Sequence, residues 1–221
     1  MRLNKFIAQA SGLSRRAADS AIADGRVRVN GHRPEVGMPV NINDTVTLDG
    51  VILQVPESFT TILLNKPAGY VCSRDGQGSK TVYDLLPEDL HTLKPVGRLD
   101  KNSSGLLLMT TDGNLAFELT HPSRQKVKVY EIRLNAPLAP LHRQMISEFG
   151  VQLDDGPSKF SLERIQENSD YMWRITMHEG RNRQIRRTFS ALGYDVTRLH
   201  RTTFGPYSLG SVSRGEYTIL D

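Results

Sequence analysis

The sequence is poor in cysteine, and Cys72 is the only one among its 221 residues. A single cysteine excludes a disulfide bond within the chain and makes a reducing cytoplasm the expected location. No apolar run approaches the roughly 20 residues that a membrane span requires. The N-terminus enters a charged, amphipathic pattern directly, so we expect neither a membrane segment nor a signal peptide.

The sequence also lacks residues spaced as metal ligands usually are. The six histidines are scattered along the chain, and none of them forms a pair at ligand spacing. Cys72 has no second cysteine with which it could hold a metal cluster, and we expect it to be a small buried or half-buried side chain. The sequence therefore predicts no zinc site.

Positive charge, in contrast, is abundant and is concentrated in two segments. The net charge is +4, which by itself is weak evidence for an anionic partner. In residues 1–33 the basic side chains are Arg2, Lys5, Arg15, Arg16, Arg26, Arg28 and Arg33. In residues 178–201 they are Arg181, Arg183, Arg186, Arg187, Arg198 and Arg201. Two basic patches suit a phosphate backbone, and on charge alone two solvated faces suit them equally well.

The first 50 residues predict a small helix-rich domain. Apolar residues recur at helical spacing over 3–10, and Ser14 can cap a second helix that Gly25 closes. Alternating residues over 26–30 and 44–48 predict two short strands. We therefore predict domains at 1–50 and 59–221, joined by a linker at 51–58.

The larger segment, 59–221, mixes strands and helices. Alternating or continuous apolar patterns predict strands at 60–65, 105–111, 127–134, 160–165 and 171–177. Helical spacing and capping residues predict helices at 113–119, 140–149 and 182–192. The chain is thus expected to have an α+β fold.

One carboxylate, Asp100, lies in a polar loop between Gly97 and Gly105, just before a strongly apolar strand. Glycines permit tight turns, and neighbouring polar groups can hold a carboxylate by hydrogen bonds. This arrangement is a plausible way to present an aspartate at the mouth of a cleft. From spacing alone, an aspartate that caps a turn is the commoner interpretation.

An arginine-rich segment follows at 179–187. On a helix turning about 100° per residue, the apolar residues of this segment define a buried face. Arg183 and Arg187 then point away from that face, toward solvent or RNA, whereas Arg186 lies at its boundary. An arginine at such a boundary needs an anion, and Asp100 is a candidate partner. A surface arginine with a local ion pair is the alternative.

The third candidate surface is a strand on which Lys126, Lys128 and Tyr130 alternate and so share a face. Tyr130 could stack on a base while the lysines contact phosphates. A half-buried core tyrosine is the commoner case.

Together these segments resemble the pseudouridine synthases that modify small-subunit and large-subunit ribosomal RNA. Residues 64–71 (LNKPAGYV), 97–100 (GRLD) with 104–107 (SGLL), and 179–187 (EGRNRQIRR) are similar to that family's three motifs, in the same order. The N-terminal segment resembles an S4-like RNA-binding domain, through residues 2–7, 14–17 and 25–31.

The resemblance implies a fold and a set of roles. The larger domain is expected to contain a mixed, mainly antiparallel sheet with flanking helices. Asp100 would be the catalytic aspartate, Arg186 the arginine paired with it, Tyr130 the residue stacked on the target uracil, and Leu199 an apolar floor. The other expected substrate contacts are Arg98, Lys128, Arg181, Arg183 and Arg187. In the N-terminal domain the expected RNA contacts are Arg2, Lys5, Arg15, Arg16, Arg26 and Arg28.

The implied reaction is conversion of a uridine in ribosomal RNA to pseudouridine. No group is gained or lost, so no cofactor is expected, and the partner would be ribosomal RNA or a ribosome-assembly intermediate bound by a monomer. The second and third motifs look closer to members that modify 23S RNA, with 16S RNA as the alternative. A tRNA substrate and a non-catalytic assembly factor are the remaining alternatives. Thr188 departs from the methionine or leucine usual in the family, which affects helix packing.

Overall fold

The structure of the protein is a computed structural model, which describes residues 1–41 and 43–220. The chain divides into two compact units. One comprises Met1–Thr60 with Thr111–Gly113, and the other comprises Thr61–Thr110 with Asn114–Asp221.

The first unit contains two helices and a three-stranded antiparallel sheet. Its elements are α1 (Leu3–Ser11), α2 (Arg15–Ala23), β1 (Val27–Val29), β2 (Val46–Leu48) and β3 (Val51–Ile52). Ser14 caps α2 as predicted, since its hydroxyl accepts a hydrogen bond from the Ala17 amide at 3.1 Å. The apolar faces of the helices and strands form one small core around Leu3, Ile7 and Ile22.

The predicted linker at 51–58 does not begin where we expected. Val51 and Ile52 pair with Leu48 and Thr47 as a third strand, so this end of the segment belongs to the N-terminal sheet. Both residues are exposed, and a two-residue exposed strand leaves no hydrophobic periodicity from which to predict it.

The second unit is built on a large mixed sheet with few helices. Its helices are α3 (Gly113–Thr120), α4 (Pro140–Gln144) and α5 (Gln184–Ser190). Short 3₁₀ turns cover Val82–Leu85, Glu88–Thr92 and Pro122–Arg124, and a π-helical turn covers Met145–Phe149. Its strands are β4 (Thr61–Lys66), β5 (Lys94–Pro95), β6 (Ser104–Thr110), β7 (Lys128–Leu134), β8 (Val151–Leu153), β9 (Gly156–Ser158), β10 (Ser161–Arg164), β11 (Met172–Met177), β12 (Val196–Phe204), β13 (Tyr207–Ser208) and β14 (Tyr217–Leu220).

The main sheet has the strand order β10-β11-β7-β12-β6-β4-β14. Neighbouring strands are antiparallel except β12 and β6, which are parallel. This topology confirms the predicted α+β class and the mainly antiparallel sheet. Strands β8 and β9 form a separate hairpin.

Both faces of the sheet centre are buried. On β6, Leu107 and Met109 belong to the core on one face, while Leu106 and Leu108 belong to a smaller core on the other. A strand covered on both sides has no polar face, which explains its continuous apolar run. The loop of Asp100 therefore leads directly into a strand that is buried on both faces.

The C-terminal part of the predicted helix at 140–149 is the π-helical turn. The predicted helix at 182–192 begins later, at Gln184. Across the described ranges, no helix combines the length and apolar character that crossing a bilayer demands.

Candidate active site

A cleft of about 1080 Å³ opens in the second unit, and it brings together almost all the residues that we predicted for a site there. The predicted residues that line it are Arg98, Asp100, Lys128, Tyr130, Arg181, Arg183, Arg186 and Leu199. Arg187, which we also predicted, does not line it.

The backbone around Asp100 is positioned by the sheet. Gly105, at the start of β6, has φ of 103° and pairs in parallel with Arg201 of β12. A Cβ atom on Gly105 would lie 2.2 Å from the carbonyl oxygen of Arg201, so only glycine allows the two strands to approach this closely. The close approach sets the loop of Asp100 beside the strand that carries Leu199.

Lys66 holds the same loop from behind. Its side chain is fully buried, and Nζ donates to the carbonyl oxygens of Pro67 at 3.1 Å, Asp100 at 3.1 Å and Ser103 at 2.7 Å. Burial lowers the pKa of this ammonium to about 8. Lys66 lies within the first family-like motif, but no signal in the residue pattern assigned it this role.

The carboxylate of Asp100 is held much more loosely than its backbone. Its Oδ2 lies 3.6 Å from Nη1 of Arg183, and the two side chains are 39% and 46% exposed. This distance is an ion pair but is too long for a hydrogen bond. Arg183 adopts φ of 47°, a left-handed conformation that is uncommon for residues other than glycine.

Among residues 1–41 and 43–220, the structure shows no ion pair within 4.0 Å between Arg186 and Asp100, so their predicted pairing stays a prediction. Arg186 donates to the carbonyl oxygens of Val196 and Asn102, at 2.5 and 2.8 Å, so it ties β12 to the loop two residues after Asp100. Burial lowers the pKa of this guanidinium, and the nearby charge of Asp100 opposes that shift. Arg186 therefore contributes positive potential near Asp100, while Arg183 makes the closer contact.

Two further arginines of the segment are engaged elsewhere. Arg187 donates to both carboxylate oxygens of Asp155, at 3.1 and 2.7 Å, and Arg181 donates to Asp155 Oδ1 at 2.8 Å. Arg181 also donates to the carbonyl oxygens of Gly156 and Pro157. The expectation that Arg187 points toward solvent or RNA is corrected, since it fastens the β8–β9 hairpin instead.

Gln184 fixes the turn that presents Arg183. Its Oε1 accepts from the amide of Arg181 at 3.1 Å, and its Nε2 donates to Ser158 at 3.1 Å and to Glu179. A fully satisfied buried amide of this kind gives the turn one conformation.

Tyr130 and Leu199 also line the cleft, and both are buried. Tyr130 lies on β7 directly opposite Arg201 of β12, and residues paired in this way share a face of the sheet. Lys128 lies two residues before Tyr130, with Nζ 3.4 Å from the carbonyl oxygen of Glu179. Burial lowers the pKa of this lysine.

This constellation of an aspartate loop, an aromatic and apolar wall and an arginine-rich turn coincides with a family match. Residues 60–191 match the model described as RNA pseudouridylate synthase.

The chain belongs to the RNA pseudouridylate synthase family.

Individual relatives agree with this assignment, which confirms the resemblance. The chain is 42% identical over 223 residues to ribosomal large subunit pseudouridine synthase B of Xanthomonas campestris, covering 94% of this chain and 44% of that protein. It is 40% identical over 233 residues to the protein of the same name from Pseudomonas aeruginosa, covering 100% and 59%. The chain thus spans about half the length of these curated relatives.

A solved structure titled a pseudouridylate synthase is also similar. It has 34% sequence identity and a TM-score of 0.72, and the match covers 100% of this chain and 96% of that one. The fold described above is therefore that of the pseudouridylate synthase family.

In this family member the N-terminal residues 1–46 match the S4 domain model. The basic residues predicted to contact RNA there differ in their partners. Arg26 forms a two-point pair with Asp49, and Arg28 donates to the carbonyl oxygens of Gly25 and Val27. The others are Arg2, Arg15 and Arg16, which are exposed, and Lys5, which is half-buried.

Within residues 1–41 and 43–220, no group of three or more histidine, cysteine or acidic side chains is arranged to hold a metal ion.

Proposed function

We propose that this chain converts a uridine of ribosomal RNA to pseudouridine, with Asp100 as the catalytic carboxylate. The observation that carries the proposal is the state of Asp100, whose backbone is fixed by Lys66 and whose carboxylate faces a cleft. Among residues 1–41 and 43–220, the one partner of this carboxylate is Arg183, in an ion pair at 3.6 Å. A carboxylate with unused hydrogen-bonding capacity is available to a substrate. Family membership supplies the reaction class.

The reaction breaks the bond between ribose C1′ and uracil N1, turns the base, and joins C1′ to C5. An ionised Asp100 can act as a nucleophile or can remove the ribose 2′ proton. In both schemes the nearby cations, Arg183 and Arg186, supply positive potential beside the carboxylate. Tyr130 would stack on the uracil, and Leu199 would close the floor beneath it.

A uridine within folded RNA has to leave its stack before it can enter this cleft, at a cost of a few kcal/mol. Contacts between basic side chains and phosphates can offset that cost. We assign this task to Arg98 and Lys128 at the cleft and to the exposed arginines of the S4 domain, Arg2, Arg15 and Arg16. Arg181 and Arg187 are assigned to holding the hairpin through Asp155.

The proposed substrate is large-subunit ribosomal RNA, because the relatives from Xanthomonas campestris and Pseudomonas aeruginosa carry that substrate in their names. The test is to map pseudouridines in 23S and 16S RNA from cells with and without this protein. Loss of one 23S site is the expected result. Loss of a 16S site would overturn the choice of substrate, and unchanged maps of both RNAs would overturn the proposed function.

A further inference from the structure

Arg201 is a buried cation in the cleft that the catalytic scheme above does not use. It lies in the wall of the cleft and is only 2% exposed. Throughout the described part of the chain, no carboxylate lies within 4.0 Å of its guanidinium. A buried charge without a counter-ion is unusual, because proteins normally pair such charges.

Most of the hydrogen-bonding capacity of this guanidinium is also unused. An arginine has five N–H donors. Nε donates to the carbonyl oxygen of Leu106 at 2.9 Å, and Nη2 is buried without a partner among residues 1–41 and 43–220. The guanidinium carbon lies 4.7 Å from the ring centroid of Phe204, so the ring restrains the orientation of the guanidinium plane.

The surroundings of Arg201 add positive potential. The charge of Arg201 lowers the pKa of Lys66 and of Lys128, in both cases in addition to the larger effect of burial. Arg201 and Lys128 therefore line the cleft in which Asp100 is the proposed reactive anion, and the buried Lys66 lies behind the loop of Asp100. Such a site favours a ligand that becomes negative within it.

The register of the sheet indicates which part of the ligand meets Arg201. It is directly opposite Tyr130, the proposed stacking residue, and two residues from Leu199 on the same strand. All three side chains therefore face the same region, where the base is proposed to lie. A phosphate would instead meet exposed cations at the surface, such as Arg98.

We propose that Arg201 binds a carbonyl oxygen of the target uracil and stabilises the negative charge on the base after it leaves the ribose. This inference rests on the proposed function. When the C1′–N1 bond breaks, its electron pair stays with the base, and the charge spreads over N1 and the carbonyl oxygens. When C5 then bonds to C1′, the C5 proton is lost and N1 gains a proton, so nothing is gained or lost overall.

The test measures single-turnover cleavage of the glycosidic bond on an RNA hairpin that contains the mapped site. The variants are Arg201→Met, which retains bulk without charge, and Arg201→Lys, which retains the charge with fewer donors. Arg198→Met is the matched control, because Arg198 lies on the same strand and is exposed. Each variant is assayed with uridine and with 5-fluorouridine at the target position, since fluorine stabilises the departing anion by withdrawing electrons.

Arg201→Met is expected to lower the uridine rate by about 100-fold, the usual loss for one donor to a developing anion. The dissociation constant for RNA should stay within about twofold, and the defect should be clearly smaller on 5-fluorouridine. Arg201→Lys should show the same dependence on fluorine with a smaller defect, which keeps the proposal testable if the methionine variant fails to fold. Arg198→Met should match the unaltered protein.

Equal defects on both substrates would overturn the inference and leave Arg201 a structural residue. Weaker RNA binding with a shallower salt dependence would also overturn it, because that is the signature of a phosphate contact. An unchanged rate would do the same. None of these results would affect the proposed function, which fails instead if the unaltered protein forms no pseudouridine.

Discussion

Two carboxylates, Asp100 and Asp155, face the same arginine-rich segment and are about equally exposed, at 39% and 42%. Asp155 accepts three hydrogen bonds from Arg181 and Arg187, at 2.8, 3.1 and 2.7 Å. The hydrogen bond from Arg187 is the main cause that holds the pKa of Asp155 below its ordinary value. Within the part of the chain that the structure describes, Asp100 has a single ion pair, at 3.6 Å.

The two carboxylates differ in how many hydrogen bonds they already accept, rather than in exposure, and this difference is why we propose Asp100 and not Asp155 as the reactive one. A carboxylate that already accepts several strong hydrogen bonds has little to offer a substrate. Asp100 is restrained through its backbone instead, by Lys66 and by the pairing of Gly105 with Arg201. Its side chain is left available.

The largest expected effect on stability tests this backbone restraint. Lys66→Met removes the donor to the carbonyl oxygens of Pro67 and Ser103 in a buried site. Leaving such groups unpaired should lower the free energy of unfolding by about 3 kcal/mol. Lys101→Met, at an exposed position in the same loop, should change it by less than about 0.5 kcal/mol. Equal denaturant midpoints for the two variants would contradict this account of Asp100, because the backbone of its loop would then not depend on the hydrogen bonds from Lys66.

The dependence of stability on pH gives a second test of the role of Lys66. The pKa of Lys66 is about 8 in the folded protein, below its ordinary 10.5. Between these values the unfolded chain binds more protons, so the stability of the unaltered protein should rise with pH relative to Lys66→Met. Below pH 8 the difference between the two should be flat. Denaturation curves across this range check the sign, and a falling difference would contradict it.

Variants of Arg183 and Arg187 test whether the Asp100 site affects activity and the Asp155 site affects stability. Arg183→Gln removes the only close cation of Asp100 within the described ranges, and product formation should fall about tenfold through misorientation of the carboxylate. Arg187→Gln removes the two-point pair with Asp155, so the thermal midpoint should fall while activity of the folded protein stays within about twofold. The reverse pattern would show that we have exchanged the roles of the two arginines.

The same distinction between saturated and free charges extends to the S4 domain, where the expected effects are smallest. Arg16 is exposed, and its side chain has no ion pair or hydrogen bond among residues 1–41 and 43–220. Arg26 is paired with Asp49. Arg16→Gln should weaken RNA binding a few-fold and reduce the salt slope by about 1, whereas Arg26→Gln should change both less. A larger effect from Arg26 would show that its pair opens on RNA.

Much of the fold follows from local patterns in the sequence, because most strands of the sheet bury at least one face. Strand β12 is the main exception. Arg198, His200 and Arg201 interrupt its apolar pattern, and the burial of Arg201 depends on tertiary neighbours that a local window does not contain. The β8–β9 hairpin was missed because its strands are three residues each.

The candidate site was predictable in its members and less so in their contacts. Asp100, Tyr130 and Leu199 do line one cleft. The close contact of Arg183 with Asp100 was missed because we began the helix at residue 182, whereas it begins at Gln184. Arg183 is therefore in a left-handed turn, where helical geometry does not apply. Lys66 escaped notice because a fully buried lysine is rare.

The most direct test of the central claim compares Asp100→Asn with Asp155→Asn in single-turnover pseudouridine formation on the mapped RNA. The account predicts that Asp100→Asn forms no detectable product while its dissociation constant for RNA stays within about threefold, since the amide can neither attack nor remove a proton. Asp155→Asn should form product at a rate within about threefold of the unaltered protein once folded. Normal product formation by Asp100→Asn would contradict the account.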